Sequence, residues 1–171
     1  MSRSVRPESG GDAGAIRKVH LAAFPTSAEA DLVTRLHEDF DSEISLVAEQ
    51  NGEIVGHVML SRMRASAADR AFRSLGLGPV AILPGAQGSG VGSELIRAAL
   101  AIAGTLGEEV VFVLGDPDYY TRFGFSAEAA APFASPYSGP YFMALWLHRP
   151  PAAPASGTAA YAPAFEALAG S

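Results

Sequence analysis

The stretch Val80-Ala81-Ile82-Leu83-Pro84-Gly85-Ala86-Gln87-Gly88-Ser89-Gly90-Val91-Gly92-Ser93-Glu94-Leu95 puts glycines at 88, 90 and 92 between an apolar run and an amphipathic one. It reads as a strand that turns sharply into a helix. Glycine removes side chains where the backbone must turn and where something has to approach closely. Amides of a first helical turn lack intrahelical acceptors and carry partial positive charge, so a phosphate or pyrophosphate would be held there. A glycine-rich turn with no ligand is the plain alternative. Two phosphate-binding patterns fail on spacing. A G-x-x-x-x-G-K-[ST] loop needs a lysine, but Val91 follows Gly90 and the only lysine in the chain is Lys18. A dinucleotide-binding G-x-G-x-x-G starting at Gly88 meets Ser93 at its third glycine, and Glu108 and Glu109 precede the next strand instead of ending it. The pattern Q-x-x-G-x-G remains, met by Gln87, Gly90 and Gly92.

A second stretch, Val111-Phe112-Val113-Leu114-Gly115-Asp116-Pro117-Asp118-Tyr119-Tyr120-Thr121-Arg122-Phe123-Gly124-Phe125, runs from an apolar strand into a short helix that carries two tyrosines. The chain has no cysteine, which removes thiolate nucleophiles, disulfides and thiolate metal sites. Its histidines, His20, His37, His57 and His148, form no His-x-His or His-x-x-x-His pair, so no metal is expected.

Together the two stretches resemble the GNAT superfamily of N-acetyltransferases. Gln87-x-x-Gly90-x-Gly92 is similar to that family's pyrophosphate loop for acetyl-coenzyme A. Tyr120-x-x-x-Gly124-Phe125 is similar to its second signature, in the expected order and again after a strand. The wording around Leu114-Gly115-Asp116-Pro117 and Tyr119-Tyr120 resembles a bacterial subgroup of the YhbS type. This resemblance spans residues 3–147, and residues 157–165 look like the subgroup's closing strand.

The resemblance implies an α/β (α+β) fold with a mixed, mostly antiparallel central sheet of about seven strands flanked by about four helices. Its fourth and fifth strands, here residues 75–83 and 110–114, would splay apart. Acetyl-coenzyme A is the implied co-substrate. Backbone groups of Ala81, Ile82 and Leu83 would pair with the pantetheine arm as an added strand does. An amide near Ile82 would face the thioester oxygen, which becomes an oxyanion when an amine attacks. Gln87, Gly88, Ser89, Gly90, Val91, Gly92 and Ser93 would hold the pyrophosphate. Gly115, Tyr120 and Phe123 complete the implied coenzyme contacts, and Tyr120 would give a proton to the departing sulfur, with Tyr119 directed elsewhere. Many relatives carry a Glu on the fourth strand, but residues 75–80 contain no carboxylate. The base is left among His57 acting through water, Asp116, and water alone. The acceptor would be a small-molecule or peptide amine. Its surface is expected from the two N-terminal helices with the 24–29 connection, the strand bearing His57, and the 132–141 loop, where Pro132, Phe133, Pro136, Tyr137 and Tyr141 would form an aromatic wall. A coenzyme A-binding sensor without transfer activity is the competing class.

The elements that must position these residues alternate between two periodicities. After an extended start at Val5-Arg6, helical spacing over residues 11–24 aligns Ile16, Val19, His20 and Ala23. Pro25 stops that helix, and Ser27 is expected to cap a second one reaching Asp39, with Ala28, Leu32, Val33 and Leu36 inward. Strands over 44–49 and 54–62 flank Asn51-Gly52, a two-residue hairpin signal. A polar connection over 65–74 leads to the 75–83 strand, in which Pro79 suggests a bulge. The helix over 89–104 would bury Val91, Leu95, Ala98, Ala99 and Ile102, and further strands are expected at 110–114 and 141–147. Composition alone favours a free tail after the prolines of 149–154. The resemblance reverses that lean, making 157–162 an ordered strand with Tyr161 and Phe165 packed inward. One domain is expected over residues 1–171, with a core over 3–147.

Hydrophobic residues make up 49% and charged residues 18%, which excludes a disordered chain. Eighteen acids against twelve Lys and Arg give a net charge of -6, the wrong sign for a general nucleic-acid binder and compatible with a cationic amine substrate. No apolar run approaches the roughly 18 residues of a membrane span, and the N-terminus has no signal-like apolar stretch. The expectation is a cytoplasmic monomer or homodimer without nucleic-acid or membrane partners.

Overall fold

The computed structural model of the chain describes residues 2–68 and 70–169. In chain order its elements begin with β1 (Arg3–Pro7), α1 (Ala13–Ala23), α2 (Ala28–Glu38), β2 (Ser42–Gln50), β3 (Glu53–Arg62), β4 (Arg64–Ala67), β5 (Arg70–Phe72) and β6 (Ser74–Ile82). They continue with α3 (Val91–Thr105), β7 (Val110–Leu114), α4 (Pro117–Tyr120), α5 (Ala127–Ala130), β8 (Phe133–Ala134), β9 (Phe142–Trp146), β10 (Gly157–Ala160) and α6 (Phe165–Ala169). Residues 1–60, 78–102 and 163–171 form one compact unit, and residues 61–77 and 103–162 form a second.

In the first unit the strand order is β1-β2-β3-β6. β1 pairs antiparallel with β2, from Arg3 opposite Gln50 to Pro7 opposite Leu46. Asn51 and Gly52 join β2 to β3 with φ of 53° and 79°, the pair of positive values a type I′ turn requires. β3 is buried along nearly its whole length, the pattern of a strand covered on both faces. α1 buries Ile16, Val19 and His20, and ends at Phe24, which Pro25 holds extended. α2 buries Ala30, Leu32, Val33 and Leu36. Ser27 does not cap it, because its hydroxyl donates to the Asp31 carboxylate instead, at 3.0 Å. The inward face of α3 is rotated from the expected one: Ile96 and Ala103 are fully buried, while Ala98 and Ile102 are half-buried.

In the second unit the order is β6-β7-β9. β7 is parallel to β6, pairing Ser74–Leu77 with Val110–Val113, and antiparallel to β9. The β6–β7 ladder ends at Leu77 although β6 runs on to Ile82. A second sheet, ordered β5-β4-β10-β8, corrects two expectations. The 65–74 connection is not a loop but carries β4 and β5. Residues 157–160 are ordered as β10, yet they lie inside this second sheet, between β4 and β8, and not at the edge of the main one. Gly157 is required there, since a Cβ would collide with the Ser66 carbonyl. The main ladder therefore has six strands and the second four. The short helix α6 at the C-terminus has no counterpart in the sequence-based reading.

Aromatic side chains fill the second unit: Phe112 stacks on Phe142 at 5.4 Å and meets Phe133 edge-on at 5.2 Å. Tyr161 leans on Gly76, where an added Cβ would come within 2.7 Å of its ring. Glu108, 1% exposed, sits between Arg62 and Arg73, with a two-pronged bond to Arg62 at 2.6 and 2.9 Å. Burial pushes its carboxyl up, but the hydrogen bonds and charges of both arginines outweigh that and hold it below its usual range.

Two outcomes can be checked. Tyr161→Ala opens a hole against Gly76 and Met63, and should cost about 2–4 kcal/mol in urea unfolding, less than for a fully buried aromatic because the residue is half-buried. An unchanged midpoint would mean that residues beyond 150 do not contribute to the core. The second concerns the buried pair His20 and His57, both 0% exposed. Burial lowers His20 to about 4; burial and the neighbouring His20 and His37 lower His57 to about 3. Below the unfolded value of about 6.5 the unfolded chain takes up protons that the native state refuses. Stability should therefore fall as pH drops from about 6.5 toward 4, by up to about 1.4 kcal/mol per pH unit for each ring. Equal urea midpoints at neutral and mildly acid pH would contradict the burial of both rings.

Candidate active site

In the first unit, β6 hands the chain to α3 through a tight turn. The 3-10 turn Pro84–Ala86 closes with the Ala86 amide on the Leu83 carbonyl at 2.8 Å. The Gln87 side chain donates back to the Ile82 carbonyl at 3.1 Å, so Gln87 braces the turn. Ser89 Oγ donates to the Ala86 carbonyl at 2.6 Å. Gly88 and Gly90 have φ of 77° and 87°, a conformation that other residues adopt only under strain. α3 then begins with Glu94 donating to the Gly90 carbonyl. Residues 87–90 are exposed while Val91, 1% exposed, pins the helix start to the core. The first-turn amides of α3 thus open on a glycine-lined concavity with no side chain in front of them.

Arg3, at the start of β1, reaches this turn. Its guanidinium donates to the Ser89 carbonyl at 3.1 Å and pairs with the Glu94 carboxylate at 2.5 and 3.1 Å. The guanidinium thus ties β1 to the start of α3, with its charge balanced by Glu94. Nothing local in the sequence announces it; β1 brings it there by pairing with β2.

Which backbone groups of β6 are open follows from strand alternation. The Leu83 amide donates to the Val55 carbonyl at 2.8 Å, so Leu83, and Ala81 two residues before it, face β3. The groups of Ile82 face the opposite side. The Ile82 carbonyl already accepts from Gln87, which leaves the Ile82 amide. Of Ala81, Ile82 and Leu83, then, only Ile82 offers a free-facing backbone donor.

In the second unit, the Tyr120 segment explains its own signature. Asp116 caps α4, its carboxylate accepting from the Asp118 amide at 3.0 Å, so that carboxylate is engaged in the turn. Gly124 ends the segment at φ 100°, where a left-handed residue is needed, and Phe125 plugs into the core at 2% exposure. The Tyr120 ring lies where a Cβ on Gly115 would be, and meets Phe125 edge-on at 6.0 Å. Burial, with a smaller contribution from Tyr119, pushes the Tyr120 hydroxyl up to about 12. Tyr119 is covered by the Arg122 guanidinium at 4.5 Å and meets the Tyr120 ring edge-on at 5.0 Å. Phe123 is half-buried against Tyr119.

His57 is placed differently from a solvent-reached base. Both ring nitrogens are engaged inside the first unit, Nε2 with Ser45 Oγ and Nδ1 with His20 Nε2, each at 2.8 Å. The aromatic wall expected over 132–141 dissolves: Phe133 is in the core and Tyr137 packs edge-on against Tyr161, leaving Tyr141 exposed. Among the described residues no group of three or more His, Asp or Glu could hold a metal, and no helix is long and apolar enough to cross a membrane.

Comparison with known proteins fits this geometry. Residues 4–127 match the family profile described as an acetyltransferase (GNAT) domain. The uncharacterized N-acetyltransferase YjhQ of Escherichia coli K12 is 39% identical over 140 residues, covering 80% of this chain and 77% of YjhQ. A crystal structure of Escherichia coli YhbS in complex with CoA superposes with a TM-score of 0.84 at 28% identity, over 96% of this chain and 92% of that one. A GNAT family acetyltransferase from Brucella melitensis, solved with acetyl-CoA, gives 0.78 at 32% identity over 96% and 98%. The mixed α/β architecture is that of these proteins, and the chain belongs to the GNAT family of acetyltransferases.

Proposed function

We propose that residues 1–171 act as a single cytoplasmic acetyltransferase domain that moves the acetyl group of acetyl-coenzyme A to a primary amine by direct attack. The amine nitrogen bonds to the thioester carbon, the carbon–sulfur bond breaks, and an amide and free coenzyme A leave. The observation that carries this reading is the turn at Gly88 and Gly90: both have positive φ, residues 87–90 are exposed ahead of α3, and Arg3 is held beside them. That arrangement fits a pyrophosphate. Gln87 through Ser93 hold it, chiefly through backbone amides.

The Ile82 amide, facing away from β3, donates to the thioester oxygen as it gains charge. Gly115 makes room for the Tyr120 ring, and Tyr120 with Phe123 borders the coenzyme. With its hydroxyl near 12, Tyr120 stays protonated throughout the neutral range. A thiol ionises at about 8.5, so full proton transfer from Tyr120 to sulfur is uphill by about 3.5 pH units. Tyr120 therefore acts as a hydrogen-bond donor to the developing thiolate, which takes its proton later from water.

Two tests follow. Gly90→Glu and Gly90→Gln share the same backbone strain at φ 87° and the same bulk, and differ only in charge. A carboxylate facing phosphate oxygens costs about 1–4 kcal/mol near the surface, so Gly90→Glu should weaken acetyl-coenzyme A binding at least about fivefold beyond Gly90→Gln by calorimetry. Equal affinities for the two variants would remove the turn from the site. Tyr120→Phe keeps the ring and removes the donor. It should lower kcat about 10–100-fold, the lower part of the usual range for such groups, with acetyl-coenzyme A affinity little changed. A tight-binding Tyr120→Phe and wild type that both fail to acetylate any amine in a broad screen would favour a coenzyme A sensor instead.

A further inference from the structure

Four side chains of the first unit form one continuous hydrogen-bonded array. Glu8 Oε1 accepts from Ser45 Oγ, Ser45 Oγ lies 2.8 Å from His57 Nε2, and His57 Nδ1 lies 2.8 Å from His20 Nε2. Counting donors fixes every proton. A carboxylate only accepts, so the Ser45 hydroxyl points to Glu8 and its oxygen must accept the N–H of His57 Nε2. A neutral imidazole has one N–H, so His57 Nδ1 is a lone pair and accepts from His20 Nε2. His20 Nδ1 is then also a lone pair, and it is buried without a hydrogen-bond partner. Such an orphan is uncommon inside proteins and calls for a reason.

We propose that His20 Nδ1 is the base that takes the proton from the acceptor's ammonium group, and that His57, Ser45 and Glu8 pass that proton's charge to the surface. This rests on the acetyltransfer reading. It supplies the base that β6, which holds no carboxylate, does not. In the step, the amine's N–H bond breaks and an N–H forms at His20 Nδ1. The His20 Nε2 proton moves to His57 Nδ1, the His57 Nε2 proton to Ser45 Oγ, and the Ser45 proton to Glu8. All three hydrogen bonds survive with reversed polarity, the amine is neutral, and Glu8 is a carboxylic acid. It returns the proton to solvent beside His37, which contacts Glu8 at 3.0 Å and is exposed. Neither buried ring has to hold a positive charge at rest, which their lowered affinities for a proton would resist.

The place is consistent with an acceptor site. His20 lies in the last turn of α1 and stacks on Phe24, with ring centres 6.0 Å apart and planes at 14°. Phe24 begins the connection to α2 and is half-buried, so an acceptor approaching the His20 ring from that connection would meet it. The titratable groups facing the array are His37 from α2 at the Glu8 end and the two imidazoles themselves.

The test interrupts the relay without touching either ring. Ser45→Ala should lower kcat about 10–100-fold at pH values below the acceptor's own pKa, and the deficit should shrink as pH rises and the amine arrives neutral. Ser45→Thr, which restores a hydroxyl, should recover most of the rate, and acetyl-coenzyme A affinity should stay within about twofold in both, since neither residue meets the coenzyme. Nitrogen-15 NMR of the wild-type histidines should find His20 and His57 neutral, each with its proton on Nε2. A proton on His57 Nδ1 in the wild type overturns the proposal, as does a Ser45→Ala rate equal to wild type, or one reduced equally at every pH. A wild type that binds acetyl-coenzyme A yet acetylates no amine overturns the acetyltransfer reading itself, and is recognised because the parent protein is then inert.

Discussion

The absence of a side chain at Gly56 decides where α3 can lie. A Cβ there would come within about 3 Å of Ile82, Leu95 and Val91, the last residues of β6 and the first buried turns of α3. With Gly56 bare, the start of the helix settles directly on β3, and Val91 and Leu95 become fully buried anchors. The Leu83 amide, bonded to Val55, fixes the strand end in the same place. Between these two fixed points the chain has only a few residues in which to reverse. That is the reason for positive φ at Gly88 and Gly90, for the Gln87 brace, and for amides left facing outward. The geometry of this turn is thus a consequence of close packing one layer below it.

Buried polar groups divide into those that are satisfied by structure and those that are not. Glu108 is held by two arginines, and Asp12 accepts from Arg6 and from the Ser9 amide and hydroxyl, which holds its carboxyl well below the usual range. These groups stabilise loops and strand ends and need no ligand to explain them. The imidazole chain differs, because the same donor counting that satisfies three of its atoms leaves a fourth bare. A hydrophobic residue at position 20 would have filled the core at lower cost.

Much of this was legible in the sequence, for identifiable reasons. Asn51-Gly52, Pro25 and the Gly88–Gly92 turn are local signals, and each fixes backbone geometry within a few residues. The Tyr120-x-x-x-Gly124-Phe125 spacing is likewise local: Gly124 must be left-handed and Phe125 must reach the core. What stayed hidden depends on pairing between distant segments. β4 and β5 are short, and become strands by pairing with each other and, for β4, with the distant β10. Arg3 meets the turn, and Ser45 meets His57, through ladders whose register no single stretch encodes. That the Leu83 amide is taken up by Val55 was hidden for a related reason: strand direction shows which residues alternate, but not which set faces a neighbour until that neighbour is placed.

The division of acid–base work follows from these placements. An amine that is to attack a thioester must lose a proton, and the sulfur that leaves must be stabilised, so a single environment cannot serve both tasks well. Burial raises Tyr120 and lowers His20, which is the same desolvation acting on groups of opposite charge type. Each group is thereby kept neutral across the physiological range, one as a donor that does not ionise and the other as an acceptor that is not already protonated. Neutral groups at rest impose little cost on a close-packed interior. In the proposed reaction the charge that appears would be met by the Ile82 amide at the oxygen, and on the amine's side by the Glu8 carboxylate, where water can screen it.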